Sequence, residues 1–270
     1  MSCENSVKGS VLPGEPQGSL VNGAYFHAAA TPAADREPKR AIVLLTDMFG
    51  LPLKNCKILA DLISEKVGVD VWVPDLFDGR PALTLEELGP LLPDRAGAKR
   101  SLMDYVRLFF LLITHIFALR RTRPSVGEAR ARVFIEKLRT EKGYNRIGAV
   151  GYGYGGTVGV GLGGSPSLVD TLVIAHPGSL KMENVKLMKV PTSWACAEEG
   201  AAFKPAQRNG AEAIFKEREG KDDFVPYEFK DWKGCAHGFA IRPNQSVPEV
   251  KAGYEGALAQ TVEWFKKTLF

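Results

Sequence analysis

Short unbroken runs of apolar residues alternate along the chain with stretches in which apolar residues recur every three to four positions. The clearest runs cover residues 40–46, 69–73, 147–151, 171–175 and 190–197. Runs of this length are typical of strands that are buried on both faces of a parallel sheet. Strands that alternate with helices imply right-handed crossovers. The pattern therefore predicts an α/β fold with a mostly parallel, doubly wound sheet and helices on both faces.

The helical spacing is clearest at 55–67 and 250–269, and Pro124 is suited to open another helix. Helices are also expected at 84–93 and 97–120, and a further strand at 227–229. Residues 1–35, rich in Gly, Pro, Ser and Ala, indicate an irregular N-terminal arm with a hairpin near 21–27, followed by a single domain at 36–270. Within 84–120, the apolar stretch 102–119 fits a cap over a site, a dimer face or buried core. Buried core is the commonest of these, and we expect it.

Composition narrows the choice of partners. The net charge of +4 comes from 35 basic and 31 acidic residues, a balance that favours neither nucleic acid nor an anionic membrane as a partner. The most apolar run, 108–119, is shorter than the roughly 20 residues that span a bilayer, so no stable membrane insertion is expected. The four cysteines lack metal-ligand spacing, and no leader opens the chain. We expect a cytoplasmic protein without a metal or a cofactor.

Unusual residues follow four of the predicted strands. They are Thr46-Asp-Met-Phe-Gly50, Gly151-Tyr-Gly-Tyr-Gly-Gly156, Ala197-Glu-Glu-Gly200 and Cys235-Ala-His-Gly-Phe239. Ligands bind beyond the carboxyl ends of the strands in open α/β sheets, so these segments predict the site. The glycine-rich segment lacks the GxGxxG spacing of dinucleotide-binding proteins, which makes that reading weak.

Together and in this order, the motifs resemble those of dienelactone hydrolases, particularly the fungal branch. Trp194-Ala-Cys-Ala-Glu-Glu199 and Gly14-Glu-Pro-Gln-Gly18 add to the resemblance, which covers nearly the whole chain. It implies the α/β-hydrolase fold and a triad of cysteine, acid and histidine, in that chain order. This sequence matches only the histidine, His237. The cysteine position holds Gly153, and the acid position is aligned with Gly200.

Glycine has no atom that attacks a carbonyl, so an acyl-enzyme at residue 153 is excluded. His237 also loses the acid that orients its ring, and Glu199 is the nearest substitute. The candidate catalytic residues are His237, Asp47, Tyr152, Tyr154 and Glu199. The candidate substrate-binding residues are Met48, Phe49, Gly153, Arg80 and Phe239, beside an oxyanion hole of backbone N–H groups.

Structural roles compete with several of these assignments. Asp47 equally fits a cap on the next helix, and the two tyrosines fit packed aromatics, although we expect one of them to line the cavity. Arg80 is a carboxylate clamp by resemblance, whereas most such loop arginines are simply solvated. His176 is expected to be structural, with contact to the pocket as the alternative.

Three functions stay open at this point. The first is a divergent hydrolase in which His237 activates water directly. The second is a non-hydrolytic cyclase, isomerase or lyase that uses the oxyanion hole for an enolate, in the manner of a secondary-metabolism enzyme. The third is an inactive protein that binds small molecules. The expected substrate is a small lactone, ester or polyketide-like molecule, and the expected state is a monomer or homodimer.

Overall fold

A computed structural model describes residues 10–30, 38–200 and 202–270. Its centre is an eight-stranded sheet in the order β1-β2-β4-β3-β5-β6-β7-β8. The strands are β1 (Ser19–Val21), β2 (Ala24–His27), β3 (Arg40–Leu45), β4 (Asp70–Val73), β5 (Arg146–Tyr152), β6 (Thr171–Ala175), β7 (Thr192–Glu199) and β8 (Tyr227–Ala236). The six strands from β3 to β8 run parallel to one another, and among the described strands β2 alone runs the opposite way, pairing antiparallel with both β1 and β4. The predicted mostly parallel sheet is confirmed.

Helices cover both faces of the sheet, as predicted. They are α1 (Asn55–Val67), α2 (Leu85–Leu88), α3 (Leu102–Thr114), α4 (Ile116–Arg121), α5 (Pro124–Lys142), α6 (Tyr154–Leu162), α7 (Met182–Lys186), α8 (Pro205–Lys216) and α9 (Pro248–Thr268). One core cluster packs α5, α6 and α8 against one face. A second packs α1 and α9 against the other. The central strands are therefore buried on both sides, which accounts for their unbroken apolar runs.

The structure departs from the predicted elements in several places. Helix α3 begins at Leu102 rather than 97, because Ser101 and Asp104 form a capping box there, and His115 interrupts the helix before α4. Strand β8 is far longer than 227–229. Helices α7 and α8 were not predicted. The hairpin expected within the N-terminal arm is present and adds two strands to the sheet through β4. The rest of that arm, residues 1–9 and 31–35, lies outside the described residues.

The expectation that 102–119 is buried core is wrong. No residue of α3 or α4 is fully buried. One face, carrying Leu108, Leu111 and Leu119, packs on a small cluster that contains Phe49 and Leu88. Residues 84–121 therefore form a cover, in which α3 and α4 pack on the molecule through this one face.

Candidate active site

The chain turns directly from strand to helix at Gly153. Strand β5 ends at Tyr152 and α6 begins at Tyr154, so Gly153 alone makes the turn, with φ 53° and ψ −107°. Its N–H donates to the Ala175 carbonyl, and its own carbonyl accepts from Gly178. Gly155 lets the turn of α6 lie directly against the Leu45 carbonyl, where any side chain would collide with backbone. The backbone at residue 153 is thus a strained strand-to-helix turn of the kind that presents a nucleophile in this fold.

The space beside Gly153 is shared by two other strand ends. A Cβ placed on Gly153 would lie 3.3 Å from His237 Nε2 and 3.7 Å from the Asp47 Cβ. A side chain at position 153 would therefore touch the imidazole, although none is present. The structure brings Gly153, His237 and Asp47 together, as the sequence predicts.

His237 has no acidic partner in this structure. Its Nδ1 is buried and makes no hydrogen bond to any described residue. Its backbone N–H donates to the Glu199 carbonyl at 2.9 Å, which anchors the loop. Burial, and then the nearby Arg242 guanidinium, lower the pKa of His237 to about 4. The imidazole is therefore neutral near pH 7.

Neither candidate position for the missing acid supplies one. The Glu199 side chain is exposed at the end of β7 and makes no hydrogen bond or ion pair within the described part of the chain, so its contact with His237 is through backbone alone. This corrects the expectation that its carboxylate orients the ring. At Gly200 any side chain would collide with the Phe203 carbonyl, so this turn has no room for an aspartate.

His176 adds a second imidazole to the site. It follows β6 with φ 34° and is 2% exposed. Its ring centroid lies 5.1 Å from that of His237 and 5.5 Å from that of Phe239. Neither ring nitrogen has a hydrogen-bond partner among the described residues. Burial, and secondarily His237, hold its pKa well below the usual value. The alternative that His176 contacts the site is therefore the one that the structure favours.

The charged element of the site is a buried ion pair. Arg242 Nε donates to Asp47 Oδ2 at 2.9 Å, and the two side chains are 8% and 5% exposed. The other carboxylate oxygen accepts from the Phe49 N–H at 3.2 Å. Burial raises the pKa of Asp47, and the Arg242 charge opposes that shift. Asp47 thus closes the turn after β3 and does not cap α1, which begins at Asn55.

Sequence reasoning missed Arg242. The signal was present, because Arg242 lies five residues after His237 in the same motif-bearing loop. What the sequence lacks is the long-range pairing with Asp47, 195 positions away. The Arg242 guanidinium also stacks over the Phe49 ring at 4.9 Å.

The two tyrosine phenols are held by helices, and the Tyr152 ring centroid lies 6.1 Å from that of His176. The Tyr152 phenol is 2% exposed and packs in the core cluster beneath α9, close to Thr261. The Tyr154 phenol donates to the Arg123 carbonyl at 3.2 Å and packs on Phe77. Burial raises the pKa of Tyr154 to about 12. The expectation that one of these phenols lines the cavity is therefore wrong, because each is used in helix packing.

Only some of the candidate substrate-binding residues lie at the site. Phe49 and Phe239 are both 2% exposed and lie beside Arg242 and His176, respectively. Met48 is half-buried and packs on the cover. The Arg80 side chain is 68% exposed and lies 3.6 Å from Asp78, with no contact to the other site residues, so here it is a solvated loop residue.

Two backbone N–H groups remain available at the strand ends. The Met48 N–H makes no hydrogen bond to a described residue. The Tyr154 N–H begins α6, where the first amides have no acceptor within the helix. These amides come from the loop after β3 and from the residue after the elbow, the two sources of an oxyanion hole in this fold.

The described cysteines offer no replacement nucleophile. Cys56, Cys196 and Cys235 are buried and unpaired, and burial raises their pKa values to about 12, 12 and 11. They are therefore protonated thiols at neutral pH. Within the described residues, no group of three or more His, Cys, Asp or Glu is arranged to hold a metal ion.

A small cavity of about 20 Å³ touches His237. Its walls include Leu92 and Asp94 from the cover, and Phe239 and Arg242 from the loop after β8. This volume accommodates about one water molecule. Part of the cover therefore lines the cavity at His237.

Comparison with known proteins shows the family and the fold of the chain. The sequence profile of the dienelactone hydrolase family matches residues 26–269. The chain belongs to the dienelactone hydrolase family. Similar proteins include the hydrolase pyvD of Aspergillus violaceofuscus, 28% identical over 97% of this chain and 95% of that protein. The hydrolase tropI of Talaromyces stipitatus is 27% identical over 94% and 91% of the two chains.

Solved structures agree on the fold. The dienelactone hydrolase of Anabaena variabilis superimposes with a TM-score of 0.61 at 13% identity, covering 95% of this chain and 100% of that one. The dienelactone hydrolase-like promiscuous phosphotriesterase P91 from metagenomic libraries superimposes with a TM-score of 0.57 at 15% identity, covering 92% of each chain. The dienelactone hydrolase-family protein described here has the α/β-hydrolase fold, as the resemblance implied.

Proposed function

We propose that this dienelactone hydrolase-family protein is an enzyme that works without a covalent intermediate and moves a proton on an enolisable carbonyl substrate, such as a small lactone, ester or polyketide-like molecule. One observation carries the proposal. The His237 Nε2 faces the space that the absent side chain of residue 153 leaves, at 3.3 Å from where a Cβ would be. A base and the elbow backbone are retained while the attacking group is gone.

In the proposed step, the substrate carbonyl oxygen lies against the Met48 and Tyr154 N–H groups. The neutral His237 takes a proton from the carbon next to that carbonyl, and the electron pair of the C–H bond moves to the oxygen as an enolate. The two amides stabilise the enolate oxygen. The His237 imidazolium then returns the proton to carbon or oxygen, which gives an isomer. Alternatively, the enolate carbon adds to a second carbonyl of the same molecule, the π electrons of that C=O bond move to its oxygen, and the imidazolium protonates the resulting alkoxide, which closes a ring.

The environment of His237 favours this step over cleavage by water. Without an acidic partner the imidazolium is poorly stabilised, and loss of that partner in a triad costs on the order of 10⁴ in rate. A weak base removes a proton more readily from a carbon acid whose enolate is stabilised by the two amides than from water. The missing thiol also removes the route by which a lactone would be trapped as an acyl-enzyme.

Direct hydrolysis is the second candidate. Two observations favour it: the cavity at His237 has room for about one water molecule, and the relatives pyvD and tropI are named hydrolases. In that case His237 would accept a proton from water while the water oxygen attacks the carbonyl carbon. The two candidates share the base and the oxyanion hole and differ in the atom that gives up the proton.

The decisive experiment measures proton transfer directly. The protein is incubated in D₂O with a panel of β-keto lactones and β-keto esters, and deuterium incorporation at the α-carbon and ester cleavage are followed by NMR. We expect exchange that falls at least about 100-fold in His237→Gln, since general-base catalysis contributes on that scale. His27→Gln is the matched control, because β2 lies three strands away from β5 in the sheet.

Each result decides between the candidates. Cleavage without prior exchange, lost in His237→Gln, selects the hydrolase. Exchange that survives His237→Gln overturns both. Tight binding in calorimetry with neither reaction selects the inactive binding protein. A separate variant, Gly153→Cys, tests the elbow itself: its thiol should be alkylated faster than the buried cysteines because it lies beside the imidazole.

A further inference from the structure

The outward side of the cover is almost entirely apolar. Between Leu102 and Phe117, ten large apolar side chains each expose at least 39% of their surface. The most exposed are Leu102, Phe117, Phe109, Phe110 and Met103. With about 200 Å² for a large side chain, these ten expose roughly 1,000 Å². The largest apolar patch on a typical monomer is about 300–600 Å², so this outer face exceeds what an ordinary surface carries.

The outer face is distinct from the face that holds the cover in place. Leu108, Leu111 and Leu119 point inward and contact the cluster with Phe49 and Leu88. The apolar residues on the other side of α3 and α4 are thus surplus to the folding of the domain. Apolar surface that folding does not bury indicates a contact with something outside the chain.

The charged residues around the outer face indicate what it contacts. The segment 99–123 contains six basic residues and one acid, out of 35 and 31 in the chain. The bases are Lys99, Arg100, Arg107, Arg120, Arg121 and Arg123. The single acid, Asp104, is engaged with Ser101 at the start of α3. The balanced charge of the whole chain therefore conceals a strongly basic segment around the outer face.

We propose that the outer face of α3 and α4 binds the surface of an anionic lipid bilayer. Aromatic and aliphatic side chains on one side of a helix, flanked by arginine and lysine, are the features of helices that lie in the plane of a membrane interface. Basic residues at such a helix are attracted to anionic headgroups. The helix lies on the bilayer and does not cross it: no helix among the described residues has the length and apolarity to span.

A second copy of the chain fits this face less well. Helices α3 and α4 carry basic residues before their first turn and after their last, at Lys99 and Arg100 and from Arg120 to Arg123. Two such faces packed together in either direction place bases opposite bases, since both ends carry the same sign. Like charges brought together oppose association. An anionic membrane neutralises both ends at once.

Binding in this way brings the cover of the site to the lipid boundary. The segment that lines the cavity at His237 precedes α3 directly in the chain. A ligand dissolved in the bilayer would then reach the site without passing through water. This consequence rests on the proposed function, whereas membrane binding itself does not.

The test is flotation of the full-length protein with vesicles. The vesicles contain phosphatidylcholine and phosphatidylserine at about two to one, with pure phosphatidylcholine vesicles for comparison. We expect binding to the anionic vesicles that weakens as salt is raised. Phe110→Ser/Phe117→Ser should abolish it. Arg107→Gln/Arg120→Gln should weaken it by about fivefold for each charge removed.

Matched controls are exposed residues elsewhere on the molecule. Leu187→Ser, at a leucine that is 61% exposed, and Lys137→Gln/Lys230→Gln should leave flotation unchanged. Circular dichroism verifies that each variant is folded. Equal binding to neutral vesicles overturns the assignment to anionic lipid. No flotation, together with a dimer in light scattering that Phe110→Ser/Phe117→Ser dissociates, shows that the face is a contact between copies and overturns the proposal. None of these outcomes depends on turnover, so failure here is distinguishable from failure of the proposed reaction.

Discussion

The elbow at Gly153 and the cover formed by α3 and α4 are opposite in construction. The elbow carries no side chain at residue 153, yet its backbone is fixed by close contacts with Leu45, Ala175 and Gly178. The cover is rich in large side chains, yet those on the outer side of α3 and α4 are exposed. In the first region the backbone holds the geometry without a side chain. In the second, side chains are abundant and serve little purpose in the fold.

The difference shows which part of the molecule determines the geometry of the site. Parallel strands flanked by helices determine where the chain emerges at the edge of the sheet, whatever residue stands there. Position 153 can therefore lose its side chain while a Cβ built there still meets His237. The cover is free to change its outward residues because few contacts depend on them. Backbone geometry at the site is accordingly more constrained than composition at the cover.

The strongest test of this comparison sets the stability loss in Gly155→Ala against that in Gly153→Ala. In Gly155→Ala the new Cβ would collide with the Leu45 carbonyl, and backbone has no rotamer by which to escape. We expect a loss of more than about 4 kcal/mol in the free energy of unfolding, measured with urea. In Gly153→Ala the new Cβ meets the His237 ring at 3.3 Å and the Asp47 Cβ at 3.7 Å, and the strained backbone conformation should cost about 1–3 kcal/mol. Equal costs would contradict the view that the backbone contacts hold the turn.

The ion pair between Arg242 and Asp47 is the next largest effect. Arg242→Leu leaves a buried carboxylate with only the Phe49 amide as a partner, so we expect a loss of about 3 kcal/mol in the free energy of unfolding. In the double variant Asp47→Asn/Arg242→Leu much of that loss should be recovered, because no uncompensated charge remains. Denaturation of the four members of this cycle gives the coupling energy. A double variant as unstable as the sum of the two single ones would count against the pair.

The pH dependence of stability tests the protonation of His237, and the expected effect is of intermediate size. The pKa of His237 is about 4 in the folded protein and 6.5 as the ordinary value. Between these values the unfolded chain binds the proton more tightly, so stability is highest above pH 6.5 and falls as the pH drops toward 4. With part of the ring near solvent, the loss is about 2 kcal/mol. His176, whose pKa is also lowered, acts in the same direction. In His237→Gln the slope should be shallower, and an unchanged slope would show that His237 does not titrate in this range.

The sequence predicts the fold well wherever burial dominates. The strands at Arg40–Leu45 and Thr171–Ala175 and the helices at Asn55–Val67 and Pro248–Thr268 match their patterns because both strand faces, or one helix face, are buried. The prediction for the cover fails for the same reason. An apolar stretch such as 102–119 looks like core in the sequence, and nothing in its periodicity says that the opposite surface is absent.

Prediction of the site from the sequence has a related limit. Motif order suffices to bring Gly153, Asp47 and His237 together, since each follows a strand of one sheet. It does not show where long side chains turn. The phenol of Tyr154 reaches Arg123 on α5, and Arg242 reaches Asp47 across 195 positions. Contacts of this kind depend on tertiary packing, which local spacing does not encode.

The smallest expected effect concerns the outer face of the cover. Phe110 is 60% exposed, so Phe110→Ser removes little surface that folding buries, and we expect a change within about 0.5 kcal/mol in the free energy of unfolding. Leu88, only 4% exposed on the inner side of the cover, is the matched residue, and Leu88→Ala should cost about 2–4 kcal/mol. Urea denaturation without lipid compares the two. A large loss in Phe110→Ser would mean that the outer face packs against the protein after all, because only buried apolar surface contributes to folding.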